Sequence, residues 1–205
     1  MSPQRTLVVM PNWFGEALFA TPLLNALRSR CPGVFIGVLG VMRCEEVLAN
    51  HPDLDEFLLY DEEGIHRTFR GKHVLMSVLR SRGFDTAFIL RKSLTRTLMV
   101  TLAGIPQRIG FDNLKSGWLL THRVKTPPAP THKTHAYLQL LEPLGIHEQH
   151  DTYTYYPSKE ERAQASVITL CAQLCAQARG HARRQAVVLQ PLHDLSGTEQ
   201  RSNGP

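Results

Sequence analysis

The sequence predicts an α/β fold, βα units winding a parallel sheet with helices on both faces. Three observations carry this. Apolar strand-length runs alternate with helical stretches through the first half of the chain. The strand runs are apolar at nearly every position, as in VFIGVL at 34–39, which suits strands covered on both sides. The connections are short and marked by proline and glycine.

The elements follow in order. A strand is predicted over 6–10, stopped by Pro11, then a tight Asn12-Trp13-Phe14-Gly15 turn and a helix over 16–30 closed by Cys31-Pro32-Gly33. A strand at 34–39 leads to a helix over 42–50, which His51-Pro52-Asp53 ends. A strand at 56–60 precedes a helix over 70–82. Arg80 and Arg82 stand where the negative end of the helix dipole favours cations, and Gly83 follows as the cap. A strand at 85–90 and a helix at 93–103 complete this alternation. Residues 126–131 (TPPAPT) read as a stiff loop before a helix at about 133–144, closed by Gly145. Further on, residues 159–178 read as a long helix and AVVLQ at 186–190 as one more strand.

Composition narrows the function. The 205 residues allow one sizeable core, or one domain plus part of another. Hydrophobic residues at 42% and charged residues at 20% are those of a soluble globular protein. No apolar run approaches the about 20 residues needed to cross a bilayer, and TLVVM is too short for a secretory leader. A cytoplasmic location is expected. Cys31, Cys44, Cys171 and Cys175 show no metal or redox spacing; Cys171 and Cys175 share a helix face and read as small core residues. The His132-Lys133-Thr134-His135 cluster lacks carboxylates and helical i,i+4 spacing, so no metal is expected there. Neither G-x-G-x-x-G nor G-x-x-x-x-G-K-[ST] occurs, which argues against a dinucleotide oxidoreductase or a P-loop NTPase. No cofactor is expected.

The net charge of +5 hides a segregation. Residues 66–133 hold 13 Lys or Arg against only Asp85 and Asp112, whereas residues 1–65 hold 4 basic and 9 acidic side chains. So basic a middle predicts an anionic partner, although most of these charges belong to solvated helix faces. Aromatics are sparse there and no RNA-binding motif or basic recognition helix occurs. Nucleic acid therefore ranks below an acidic glycolipid.

Glu16 is the most informative single residue. Ligands of open parallel sheets bind outside the carboxyl ends of the strands. Glu16 follows the first strand directly, in the first turn of a helix, where the dipole favours a carboxylate. It is a candidate base. Acidic residues are also simply common at helix starts, and on local pattern alone that plainer reading is the stronger.

The segment TLVVMPNWFGEALFATPLLNALR at 6–28, with P-x-W-x-G-[D/E] followed by T-P-x-L-x-A-L-R, resembles the amino-terminal signature of the bacterial ADP-heptose:lipopolysaccharide heptosyltransferases, glycosyltransferase family 9, nearest to its heptosyltransferase II branch. LTRTLMVTLAGIPQRIGF at 94–111, WLLTHRV at 118–124 and HAYLQLLEPLGI at 135–146 agree with it in order and spacing, over roughly residues 5–150. Glu16 stands where the family usually has Asp.

The resemblance implies an inverting, metal-independent transfer of heptose from ADP-heptose to the lipopolysaccharide inner core. Glu16 would be the catalytic base. Asn12, Trp13, the turn glycine Gly15, and Arg91, Lys92 and Ser93 after the DTAFIL strand would bind substrate. For Trp13, packing under the loop and stacking on a sugar remain open. Lys92 departs from the family, which more often has Asn or Pro before this serine. Arg108 and Lys115 are weaker candidates, and Thr21 and Pro22 are expected only to shape the first helix. The partners implied are the lipopolysaccharide acceptor, the nucleotide-sugar donor and, peripherally, the inner face of the inner membrane.

The family folds as two Rossmann-like domains across a cleft, the GT-B arrangement, with acceptor on the amino-terminal side and donor on the other. Here 1–157 correspond to the acceptor side, 158–190 to a linker helix and the first donor-side strand, and 191–205 to an irregular tail. On this expectation the donor domain is missing. TEQRSNGP at 198–205 can be encoded so that the frame two nucleotides later reads Gly-Ala-Ala-Lys-Gln-Trp-Pro, close to the family's phosphate-contacting loop. A frameshift near 191–197 is the expected cause, and transfer by this chain alone is expected to be negligible. The alternative is a non-catalytic domain that binds acidic glycolipid; nucleic-acid binding through the basic middle is a weaker third option.

Overall fold

The computed structural model describes residues 3–148, 151–166 and 168. The chain divides into two compact units, Met1–Tyr156 and Pro157–Pro205. In the second, residues 159–166 are helical. The expected rest of that helix, the 186–190 strand, Cys171, Cys175 and the tail lie outside the described residues.

The first unit is built on six parallel strands: β1 (Arg5–Val9), β2 (Phe35–Gly40), β3 (Glu56–Leu59), β4 (Thr86–Ile89), β5 (Gln107–Phe111) and β6 (His122–Val124). They lie in the order β3-β2-β1-β4-β5-β6. β1 is central, with Val8 opposite Val38 on one side and Phe88 on the other. The chain moves outward from β1 to β3, then returns to place β4 on the other flank. This reversal opens a crevice above the carboxyl ends of β1 and β4.

The helices are α1 (Phe14–Phe19), α2 (Thr21–Arg30), α3 (Met42–Leu48), α4 (Phe69–Arg82), α5 (Leu94–Leu102) and α6 (Lys133–Gln139). Val8, Ile36, Val38 and Phe88 pack on one side of the sheet with Leu23, Leu24 and Leu27 of α2 and with Leu138, Leu140 and Leu141. Leu7, Val9, Leu39 and Ile89 pack on the other with Leu75 and Leu79 of α4 and Met99 and Val100 of α5. Both faces are covered, which is why the strands read as continuous apolar runs.

The structure corrects three expectations. The helix expected over 16–30 begins earlier, at Phe14, and is broken at Ala20. Pro22 has no N–H for the carbonyl of Leu18, and the Thr21 hydroxyl donates to that carbonyl instead, at 2.8 Å. The helix after β2 stops at Leu48, short of 50. The helix expected over 133–144 is likewise split, α6 giving way to a 3-10 turn at Glu142–Leu144 that contains Pro143 and ends on left-handed Gly145. β5 and β6 carry no strand signal of their own: β5 opens on Gln107 and Arg108, and two of the three residues in edge strand β6 are exposed.

The amino edge of the sheet is tied down by charge. The Asp85 carboxylate accepts the backbone N–H groups of Gln4 and Arg5 at 2.8 and 2.9 Å, fixing the start of β1. Asp55 accepts the N–H of Ile36 and a guanidinium N–H of Arg28, both at 2.7 Å. Arg82 grips Glu56 with two nitrogens.

Candidate functional site

At the switch point the chain leaves β1 through Pro11 and Asn12 and enters α1, with Trp13 as its N-cap. Glu16 therefore sits at the third helical position, its carboxylate over the carboxyl edge. The site residues lie around two clefts. One, of about 460 Å³, is lined by Glu16, Arg91, Lys92, the proline-rich loop before α6, Lys133 and Tyr137. The other, of about 530 Å³, is lined by Asn12, Trp13, Arg43, Tyr60, Glu62 and Arg91, among others. Arg91 borders both.

Glu16 is not a bare anion. Its Oε1 lies 3.3 Å from Nζ of Lys133, in the first turn of α6, and both side chains keep contact with solvent. Tyr137, one turn further along α6, is buried against the same cleft. Burial, and then the Glu16 charge, push its phenol pKa well above the ordinary value, so it remains a neutral hydroxyl. A carboxylate, an ammonium and a phenol thus meet in one cleft. Such a set can accept a proton, hold an anion and donate a hydrogen bond.

Arg91 is exposed and makes no hydrogen bond or ion pair among the described residues. Lys92 donates to the Thr126 hydroxyl at 2.8 Å, which ties the proline-rich loop to the end of β4. Ser93 is the N-cap residue of α5, but its side chain makes no capping bond; its carbonyl accepts the Thr97 hydroxyl. Gly15 stands inside α1, where a Cβ would meet nothing within 4 Å, so the space above it is open.

Trp13 is 65% exposed, with the Arg43 guanidinium 5.5 Å from its ring centroid. Packing beneath the loop is thereby ruled out. Its indole face is presented at the rim of the larger cleft.

Asn12 is already engaged. Its carbonyl oxygen accepts from Arg96 and its amide donates to Glu62, both over short distances. Arg96 is 2% exposed and also donates to the Met10 carbonyl at 2.6 Å and to Glu62 at 3.2 Å, with its guanidinium 4.9 Å from the Tyr60 ring centroid. Burial lowers the Arg96 pKa and the Glu62 charge opposes that shift. A guanidinium in the first turn of a helix also opposes the dipole, so these partners are what hold it. The network pins the β1–α1 loop, and Asn12 acts through that loop.

Arg108 is a correction. It lies at the start of β5, at the opposite edge from the crevice, and its guanidinium donates to the carbonyls of Leu119, Ile105 and Pro106. Lys115 is exposed in the loop after β5, outside the residues lining either cleft. In the histidine cluster, the His132 ring caps α6 through Thr134 N–H, and His135 lies 3.1 Å from Asp151.

Lys133, Tyr137, Arg96, Glu62 and Arg43 escaped the sequence reading. Arg96 alone left a signal, a charge on the apolar side of the 94–102 helix. Lys133 and Tyr137 reach Glu16 only because α6 packs beside α1.

No family model matches the chain. Over 143 residues, 69% of this chain, it is 27% identical to lipopolysaccharide heptosyltransferase 2 of Escherichia coli K12, of which it spans 41%. The fold matches a glycosyltransferase family 9 structure from Veillonella parvula with a TM-score of 0.69 and 21% identity, over 80% of this chain and 48% of that one. The ADP-heptose lipopolysaccharide heptosyltransferase II structure of E. coli gives a TM-score of 0.62 and 23% identity, over 78% of this chain and 49% of that one. Sequence and fold point to the same relatives: the chain is similar to the lipopolysaccharide heptosyltransferases of glycosyltransferase family 9, carries a Rossmann-like half of their GT-B-like architecture, and spans less than half of their length.

Proposed function

We propose that this chain is the acceptor-side part of a glycosyltransferase that moves heptose from ADP-heptose onto the lipopolysaccharide inner core. The observation that carries the proposal is the Glu16 carboxylate in a switch-point cleft shared with Arg91, Lys92, Lys133 and Tyr137. In the proposed reaction Glu16 takes the proton of an acceptor hydroxyl as that oxygen attacks the anomeric carbon. The bond from that carbon to the β-phosphate oxygen breaks, ADP leaves with the electron pair, and the configuration inverts. Arg91, Lys92 and Lys133 hold acidic groups of the acceptor, and Trp13 offers its open face to a sugar ring. Glu is one methylene longer than Asp, shifting its oxygens by about 1 Å, a displacement that matters for a base. The Lys133 contact gives the longer side chain a fixed position. In this reading the reaction takes place at the cytoplasmic face of the inner membrane, and ADP-heptose is a substrate, with the donor-side contacts coming from outside residues 1–157.

The three cations also support a second reading, in which the chain binds acidic glycolipid without transferring sugar. One experiment separates the two. Because the donor-side contacts come from outside residues 1–157, the 205-residue chain and its Glu16→Gln variant are each joined to the donor-side half of a heptosyltransferase relative and incubated with ADP-heptose and heptose-deficient lipopolysaccharide, and both glycolipid binding and heptose transfer are measured. Transfer that falls about 10²- to 10⁴-fold in Glu16→Gln supports the first reading. Binding without transfer supports the second. Neither binding nor transfer overturns both.

A further inference from the structure

We propose that Lys133 is a movable counter-ion of Glu16: it covers the carboxylate until an oxyanion on the incoming acceptor draws the ammonium away and frees the base. The inference rests on the reading of Glu16 as proton acceptor and adds a control to it. Lys133 is then a positioning residue, acting through Glu16.

The contact is one that breaks easily. A single nitrogen, Nζ of Lys133, faces a single oxygen, Oε1 of Glu16, at 3.3 Å. A tight charge-assisted bond is shorter, at about 2.7–2.9 Å. The Lys133 side chain is 57% exposed and that of Glu16 29%, and an ion pair so open to water contributes little. Arg82 and Glu56 show the other extreme, with two guanidinium nitrogens on the carboxylate at 2.8 and 2.6 Å. Among the described residues the Glu16 side chain has no second ion pair or hydrogen bond. Nor does α6 need Lys133. The His132 ring caps that helix through the Thr134 N–H, and a cation in the first turn opposes the dipole.

The cleft supplies the force that separates the pair. Glu16 is the one carboxylate among its lining residues, and it meets three cations, Arg91, Lys92 and Lys133. Arg91 has no partner among the described residues, and Lys92 donates to a neutral acceptor, the Thr126 hydroxyl, at 2.8 Å. Tyr137, the remaining titratable group of the lining, stays uncharged. Positive charge is therefore in excess, and an oxyanion is the complement the cleft lacks. Once bound, it repels the Glu16 carboxylate and attracts Lys133, whose long flexible stem lets the ammonium swing across. Oε1 is then open to the acceptor hydroxyl. Water reaching the cleft ahead of the acceptor meets a covered carboxylate, so hydrolysis of the donor is not assisted.

The test uses the 205-residue chain with neither donor nor sugar, so its outcome is independent of heptose transfer. Lysines are reductively methylated with carbon-13, which keeps their charge, and the Lys133 signal is assigned by its loss in Lys133→Arg. Inorganic phosphate and acetate are titrated separately, against chloride at equal ionic strength. Glu16→Gln is expected to shift the Lys133 signal before any anion is added. In the unsubstituted chain the oxyanions shift it and chloride does not, and Arg91→Ala raises the concentration required about tenfold. Whichever of phosphate and acetate acts at the lower concentration tells whether the acceptor group is a phosphate ester or a carboxylate. A Lys133 signal indifferent to Glu16→Gln, unmoved by both oxyanions, moved equally by chloride, or titrating unchanged in Arg91→Ala overturns the inference. Heptose transfer lost in Glu16→Gln beside an unmoved Lys133 signal would sink this inference alone and leave Glu16 as the base.

Discussion

The two edges of the sheet use the same kinds of residue to opposite ends. At the amino edge Asp85, Asp55, Arg28, Arg82 and Glu56 are bound to one another or to backbone donors, and the beginnings of β1 and β2 depend on them. At the carboxyl edge Arg91 is unpaired among the described residues, and Glu16 and Lys133 face each other with solvent access. The first group is committed to the fold. The second group is solvent-facing and only partly paired, and that difference is what makes the carboxyl edge the candidate functional edge.

Arg96 is the exception that tests this contrast most severely, because it is a buried charge at the functional edge. Replacing it by Met leaves the Met10 and Asn12 carbonyl oxygens without their donor, and urea denaturation is expected to show a loss of about 1–3 kcal/mol. A loss below about 1 kcal/mol would mean that the β1–α1 loop is held by something other than this network.

A matched pair comes next. Asp85→Ala should cost about 2 kcal/mol of stability, because charge-assisted bonds to two backbone amides are lost, while leaving glycolipid binding as it was. Arg91→Ala should leave stability within about 0.5 kcal/mol and weaken glycolipid binding about tenfold, the worth of one charge-assisted contact. The reverse pattern in the same two assays would break the comparison outright.

The smallest effect is in pH. His51, before β3 at the amino edge, and His66, after β3 at the other, both have their pKa lowered by burial, against the opposing charges of Asp53 and Asp61. The unfolded chain therefore takes up protons first. Their contribution to stability is complete above the ordinary value of 6.5 and is lost as pH falls from there through the lowered folded values. His51 is the more deeply buried, so His51→Leu should flatten the acid side of the stability profile more than His66→Leu does.

The parallel sheet was legible because the runs Leu7–Val9, Phe35–Leu39 and Ala87–Ile89 in β1, β2 and β4 carry no polar side chain, a pattern fixed by burial on both faces. β5 was not, because it opens on the polar Gln107 and Arg108, nor was β6, an edge strand whose exposed His122 and Arg123 leave no hydrophobic period. The break at Ala20 stood in the sequence as Thr21-Pro22, yet the amphipathic pattern on either side masked it. Glu16, Arg91 and Lys92 could be placed by their position just after strands. Their partners could not: Lys133 and Tyr137 lie more than a hundred residues further along, and only the packing of α6 beside α1 makes them neighbours of Glu16.

The position of Arg91 between two clefts has a thermodynamic consequence. An anion held on the Glu16 side and one held on the Trp13 side would draw on the same guanidinium, and whatever influence one guest has on the affinity of the other is equal in the reverse direction.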